Sequence, residues 1–151
     1  MSLQSEIKLI QLGEAITLRQ KVLRPLARVD DCIFPNDNDS STFHLGLFHN
    51  QKLVSVASLM QESSPYFSAG FPFRLRGMAT AEHYRGQGLG SKLLGFGIYL
   101  LKERRCDLLW CNARFRSFSF YRSMGFQFYG DLFDIKDSGP HKVMYKVIIP
   151  R

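Results

Sequence analysis

Arg85-Gly86-Gln87-Gly88-Leu89-Gly90 separates an alternating apolar stretch that ends at Met78-Ala79-Thr80 from a run with helical spacing. Leu89, Leu93, Phe96 and Leu100 recur at the intervals of one helix face, which predicts a helix opening on the loop. The first amides of a helix lack intrahelical partners and carry the positive end of its dipole. Glycines let those amides wrap closely around a phosphate. A glycine-rich turn without a ligand is the plain alternative.

Working outward, Lys102, Arg104 and Arg105 complement the C-terminal end of that helix. Leu108-Leu109-Trp110-Cys111 is then a short continuous apolar run, as in a strand buried on both faces. Strand, loop, helix and buried strand in this order predict a crossover unit with one parallel pair. Upstream, Phe71, Phe73 and Leu75 alternate with Pro72, Arg74 and Arg76, and Gly77 inside this strand predicts a bulge or a close backbone approach. Thr42 to Met60 reads as two strands joined by a tight turn at Asn50-Gln51. Ahead of them lie a short strand at Ile7–Ile10 and a helix with Ala15, Leu18, Val22 and Leu26 on its apolar face, ended or bent by Pro25. Asp30 to Asp39 forms an acidic, turn-rich loop. Downstream, a short helix at Ser117–Met124 ends at Gly125, and two strands follow near Phe126–Phe133 and Val143–Ile149, split by Asp137-Ser138-Gly139-Pro140. The fold class is mixed α/β, with antiparallel hairpins around one parallel pair.

The chain has 151 residues, 45% hydrophobic and 13% aromatic, enough for one packed domain spanning 1–151 and too few for a second enzyme-sized unit. Its net charge of +7 admits a polyanionic partner, including a phosphorylated cofactor. The basic residues are dispersed, and no RNA-recognition, zinc-finger or basic-zipper pattern stands out, so no nucleic acid is expected. Cys32, Cys106 and Cys111 lack metal-type clustering, and His44, His49, His83 and His141 are scattered, so no metal is expected. No apolar run reaches a membrane span, and no long apolar stretch marks a signal peptide. Free thiols suit a reducing compartment, and the expectation is cytoplasmic.

Two phosphate-binding rivals fail on the letters. A P-loop needs Gly-x4-Gly-Lys-Ser/Thr, whereas Gly90-Ser91-Lys92 has the wrong order and spacing. A dinucleotide fold needs Gly-x-Gly-x-x-Gly, but Ser91 stands at the third glycine. Asp107, at roughly the right distance for the acidic residue, precedes the apolar strand instead of closing it. The loop does resemble the Arg/Gln-x-x-Gly-x-Gly/Ala pattern of the GNAT superfamily of acyl-CoA-dependent N-acetyltransferases. Met78-Ala79-Thr80 and Asn112-Ala113-Arg114 resemble the ends of that family's fourth and fifth strands. Ser117, Phe120-Tyr121 and Met124-Gly125-Phe126 resemble its Asn-x4-Ala-x2-Phe-Tyr-x3-Gly-Phe signature, with Ser117 in place of the commoner alanine.

The resemblance implies a mostly antiparallel sheet with one splayed parallel pair flanked by helices. It further implies acetyl-CoA bound along that pair. Backbone groups of Met78 and Thr80 would bond the pantetheine amides, and Ala79 would offer an oxyanion donor. Amides from Gln87 through Gly88, Leu89 and Gly90 to Ser91 would hold the pyrophosphate, with Arg85 and Gly86 shaping the turn. Asn112 would touch the arm, and one of Arg114, Arg116 and Arg122 would meet the 3'-phosphate. Tyr121 is the expected general acid. The general base stays open among Glu62, Glu82, His44 and Asp39. A cysteine route through Cys106 or Cys111 is disfavoured, because neither has a base nearby in sequence and apolar burial raises a thiol pKa.

The leading function is N-acetyltransfer to a primary amine of a small molecule or protein by direct attack in a ternary complex. A non-catalytic acyl-CoA sensor and a basic RNA-associated protein are the alternatives. The acceptor is not legible, although the acidic loop hints at a cation, and exposed C-terminal strands leave a homodimer open.

Overall fold

The computed structural model describes residues 4–151. Seven strands form one sheet in the order β1-β2-β3-β4-β5-β7-β6: β1 Ser5–Ile10, β2 Phe43–His49, β3 Lys52–Gln61, β4 Pro72–Thr80, β5 Leu108–Arg114, β6 Gln127–Ile135 and β7 Gly139–Val147. Three α-helices accompany them, α1 Leu12–Leu23, α2 Leu89–Glu103 and α3 Phe118–Ser123. Residues up to Met60 with Leu75–Gly97 pack as one compact unit, and Gln61–Arg74 with Ile98–Arg151 as another.

In the first unit, β1, β2 and β3 form an antiparallel meander. Asn50 and Gln51 both take left-handed φ, +51° and +72°, as a primed two-residue hairpin turn requires. Leu45, Leu47, Val54, Val56 and Leu59 of this hairpin are fully buried, each contributing about 1.5–3 kcal/mol of transfer free energy. Helix α1 is opened by the Glu14 carboxylate, which accepts the Gln11 amide proton. It stops before Pro25, where the Gln20 side chain donates to the carbonyls of Pro25 and Ala27. Leu26 therefore lies beyond the helix and is exposed, not on the apolar face expected for it. The face carries Arg19 instead, buried beside Ala15, Ile16 and Leu18.

Helix α2 begins at Leu89 as expected, and Leu89 and Leu93 of its predicted face are buried, but further along the buried stripe is turned from the predicted one. Leu93, Leu94, Ile98 and Leu101 are buried, whereas Phe96 is exposed. Gly97 is the reason. A Cβ there would stand 2.9 Å from Leu59 Cδ1 and 3.3 Å from Leu45 Cδ1, so the missing side chain lets the helix approach β2 and β3.

In the second unit, β4 and β5 pair in parallel through Pro72–Leu108, Phe73–Leu109 and Arg74–Trp110. That ladder stops at Arg74–Trp110, although β4 runs on to Thr80 and β5 to Arg114. Strand β7 lies antiparallel to β5 along its whole length and pairs with β6 on its other side. It starts at Gly139, earlier than the sequence suggested, because Gly139 and Pro140 pair with Ile135 and Asp134 instead of breaking the strand. Asp107 closes the lower end: its carboxylate accepts the amides of Gly70 and Phe71 at 2.7 and 3.0 Å.

Candidate active site

The glycine loop has the conformation its letters require. Gly86 and Gly88 take left-handed φ of +75° and +76°, and a Cβ on either would meet nothing within 4 Å. Residues 85–88 are exposed. Backbone direction, not crowding, therefore calls for glycine here, and the space over the loop is open. The first helical bond runs from the Lys92 amide to the Gly88 carbonyl, so the amides ahead of Lys92 have no intrahelical acceptor. These belong to Leu89, Gly90 and Ser91, preceded by Gly88 and Gln87. Arg85 ties the loop to its strand by donating from Nε to the Thr80 carbonyl at 3.2 Å, and the Gln87 side chain donates from Nε2 to the His83 carbonyl at 3.4 Å.

Gly77 of β4 takes a left-handed φ of +64°. Beyond it, the Ala81 amide donates to the Val54 carbonyl of β3 at 2.8 Å. Strand alternation then turns the Ala79 backbone groups to β3 and those of Met78 and Thr80 away from it. Ala79 itself is buried with Leu18 and Val56. This is the parity that the pantetheine assignment needs for Met78 and Thr80, and it removes the Ala79 amide from the face on which an oxyanion would form.

Tyr121 sits on α3 between the rings of Phe120 and Phe126, at 5.1 and 5.3 Å. It is buried, and burial, with Cys111 adding to it, pushes its phenol well above the ordinary value of 10. The Arg114 charge acts on the phenol in the opposite sense, but burial outweighs it. A phenol kept neutral in this way can donate a proton or a hydrogen bond. Asn112 lies half-buried on β5, in register with Val143 of β7.

The carboxylates differ sharply in setting. Glu62 is part-buried, with Oε2 2.9 Å from Arg74 Nη1, and the Arg74 guanidinium stacks over Trp110 at 4.7 Å. Trp110 Nε1 donates in turn to the Glu62 carbonyl at 2.9 Å. Glu82 is exposed, on the 3-10 turn Glu82–Tyr84 that leads into the loop. Asp39 is exposed as well.

His44 does not have the freedom a base needs. Its Nε2 faces the Asp37 carbonyl at 3.1 Å, which can only accept, so Nε2 carries the proton. Its Nδ1, 2.6 Å from Ser58 Oγ, then accepts from that hydroxyl, which itself accepts from Arg19 Nη2 at 2.7 Å. A second imidazole proton would have to turn the Ser58 hydroxyl hydrogen away from Nδ1 and share its oxygen with Arg19. Burial accordingly pulls the His44 pKa below 6.5. Under acid conditions the unfolded chain binds a proton that the folded one refuses, so stability present above that value is lost as pH falls. The expected slope is about 1.4 kcal/mol per pH unit just below the ordinary imidazole pKa, and His44→Gln should flatten it. Urea unfolding at a series of pH values measures it.

All three cysteines are free and buried. Burial pushes Cys106 up to about 11 and Cys111 up to about 12, so neither offers a thiolate. Among the described residues no group of three or more His, Cys, Asp or Glu is placed to hold a metal. No helix among them is long and apolar enough to cross a membrane.

Two clusters were not legible in the sequence. Arg19 and Asp37 form a buried ion pair at 2.7 Å. An arginine on the apolar face of α1 was the available signal. In the second unit, Tyr66 and Phe67 of the 63–70 turn stack on Tyr129 of β6 and Phe67 on Tyr145 of β7, with ring centres 4.8–5.3 Å apart.

Comparison with known proteins agrees with this geometry. The acetyltransferase (GNAT) family model matches residues 14–126. The uncharacterized N-acetyltransferase YitI of Bacillus subtilis (strain 168) is 37% identical over 143 residues, covering 95% of this chain and 96% of that one. A putative N-acetyltransferase from Lactobacillus plantarum superposes with a TM-score of 0.75 at 19% identity, over 99% of this chain and 100% of that one. FeeM, an N-acyl amino acid synthase from uncultured soil microbes, does so with a TM-score of 0.79 at 12% identity, over 97% and 92%. The two structural likenesses bear on the fold alone. The chain belongs to the GNAT family of acetyltransferases and is an acyltransferase enzyme.

Proposed function

We propose that the protein, acting as one catalytic domain over residues 1–151, transfers an acetyl group from acetyl-CoA to a primary amine. The acceptor is a small molecule or a protein, and the amine attacks directly within a ternary complex. The observation that carries the reading is the pair of left-handed glycines, Gly86 and Gly88, open to solvent before a helix start. Amides from Gln87 to Ser91 hold the pyrophosphate, and Arg85 keeps the loop on the end of β4. Met78 and Thr80 bond the pantetheine amides with their outward backbone groups, and Asn112 contacts the arm. The oxyanion donor is reassigned from Ala79 to the Met78 amide, because alternation sends the Ala79 amide into the sheet.

The amine nitrogen forms its bond to the acyl carbon, the carbon–sulfur bond breaks, and the electron pair leaves on sulfur. Tyr121 supplies the proton or hydrogen bond to that sulfur, and Met78 N–H stabilises the developing oxyanion. Glu62 takes the amine proton, directly or through water. It is favoured over Glu82 because Arg74 and Trp110 hold it in place, whereas Glu82 is exposed. The buried thiols support direct transfer over an acyl-enzyme, and they fit a reducing, cytoplasmic setting. The exposed Leu132 on β6, which ends the sheet, makes that edge the candidate for a homodimer contact.

An acetyl-CoA turnover screen over amino acids, polyamines, aminoglycosides and peptides, read by released thiol, tests the reading. Glu62→Gln is expected to lower kcat by about 10²-fold, while Glu82→Gln stays within about twofold. Turnover with none of the acceptors, alongside tight CoA binding, would favour a sensor. Equal losses in the two variants would remove Glu62 as the base.

A further inference from the structure

Gly77, with its left-handed φ, is packed against two side chains from elsewhere in the same unit. A Cβ at Gly77 would lie 2.5 Å from Arg19 Nε and 3.2 Å from both Arg19 Cδ and Phe34 Cε2. The rest of the Arg19 guanidinium is fully committed. Nη1 donates to the Cys32 carbonyl and Asp37 Oδ2, and Nη2 to Asp37 Oδ1 and Ser58 Oγ. Nε alone is buried without a partner, and it is the nitrogen turned to Gly77. Phe34 is clasped between two guanidinium groups, Arg19 at 4.2 Å and Arg76 at 3.9 Å. Its loop is locked to the same pair, since the Phe34 amide donates to Asp37 Oδ2 at 2.6 Å.

Glycine adopts either sign of φ with little preference, so at Gly77 the surroundings choose. That torsion sets the peptide joining Gly77 to Met78, and therefore the direction of the Met78 N–H. We propose that Arg19 and Phe34 are positioning residues that hold Gly77 at its left-handed φ and thereby aim the Met78 amide at the acyl carbonyl. The inference rests on the acetyl-transfer reading and deepens it. It gives the buried Arg19–Asp37 cluster a role in the rate and not only in the fold. It also takes Asp37 out of acceptor recognition, because both its oxygens are engaged internally.

Phe34→Leu removes the ring while leaving the Arg19–Asp37 pair intact, and Arg19→Lys keeps the charge while withdrawing the planar Nε edge. Each is expected to leave the CoA dissociation constant within about twofold and to cut kcat about tenfold or more, the consequence of a misdirected oxyanion donor. Phe34→Tyr keeps the ring and should restore kcat. Circular dichroism and melting verify that the variants are folded. Wild-type turnover with unchanged kcat in the folded Phe34→Leu and Arg19→Lys proteins overturns the inference alone. So does a rise in dissociation constant with kcat preserved. A wild-type protein that neither binds CoA nor releases thiol overturns the acetyl-transfer reading as well.

Discussion

Tyr121→Phe is expected to lower kcat by about 10²-fold or more while leaving CoA affinity within about twofold. The substitution removes one oxygen and keeps the ring between Phe120 and Phe126, so packing is conserved. The loss should therefore fall on the step in which sulfur leaves. The sign of the pH dependence follows from burial. A phenol held well above 10 stays protonated through the working range. Its rate contribution should show no alkaline decline below pH 10, and any limb at lower pH belongs to the acceptor amine or its base. For stability the same shift acts above 10, where the unfolded tyrosine ionises and the folded one does not. Stability present below that value is lost as pH rises past it. Steady-state kinetics with separate CoA binding measurements check the first claim. A kcat close to wild type would remove Tyr121 from the mechanism.

Asp37→Ala is expected to destabilise the fold by about 3–5 kcal/mol, since it strands the Arg19 guanidinium in the interior without its anion. The side chains of the pair are 1% and 0% exposed, so water cannot take over the missing partner. The change also removes the acceptor of the Phe34 amide. The midpoint of urea unfolding reads the effect. A loss under about 1 kcal/mol would place this pair with surface ion pairs and deny it structural weight. Exposed pairs such as Lys8–Glu6, at 3.7 Å, provide the comparison and should be nearly silent.

The central strand–loop–helix unit was legible because glycine spacing and hydrophobic period report backbone geometry directly. Gly77 announced a bulge or a close approach, and Arg19 and Phe34 do crowd it at a φ of +64°. Asn50-Gln51 announced a hairpin, and both residues are left-handed. The predicted α2 stripe slipped because Gly97 marks the buried line with an absence, and a count of large apolar residues passes over it. The acidic loop hinted at a cationic acceptor because a sequence does not reveal which carboxylate turns inward. Asp37 meets Arg19 across 18 positions of chain. His44 was left among the bases for the same reason: its two ring partners come from Asp37 and Ser58, remote in sequence. Long-range polar pairing leaves no local period to read.

The most direct measurement is calorimetric titration of coenzyme A into the wild-type protein, into Gly88→Val and into Gly95→Ala. Valine at a φ of +76° is strained by its branched Cβ and would reshape the amide cradle. Gly95 lies on the exposed side of α2 with nothing within 4 Å, so alanine there leaves the loop alone. Saturable binding to wild type and Gly95→Ala is expected, with Gly88→Val weaker by about 10²-fold or more, as losing two charge-assisted bonds of about 1.5–3 kcal/mol each implies. Absence of binding to the wild type, or a folded Gly88→Val protein that binds as tightly, would contradict a diphosphate held by the amides of this loop.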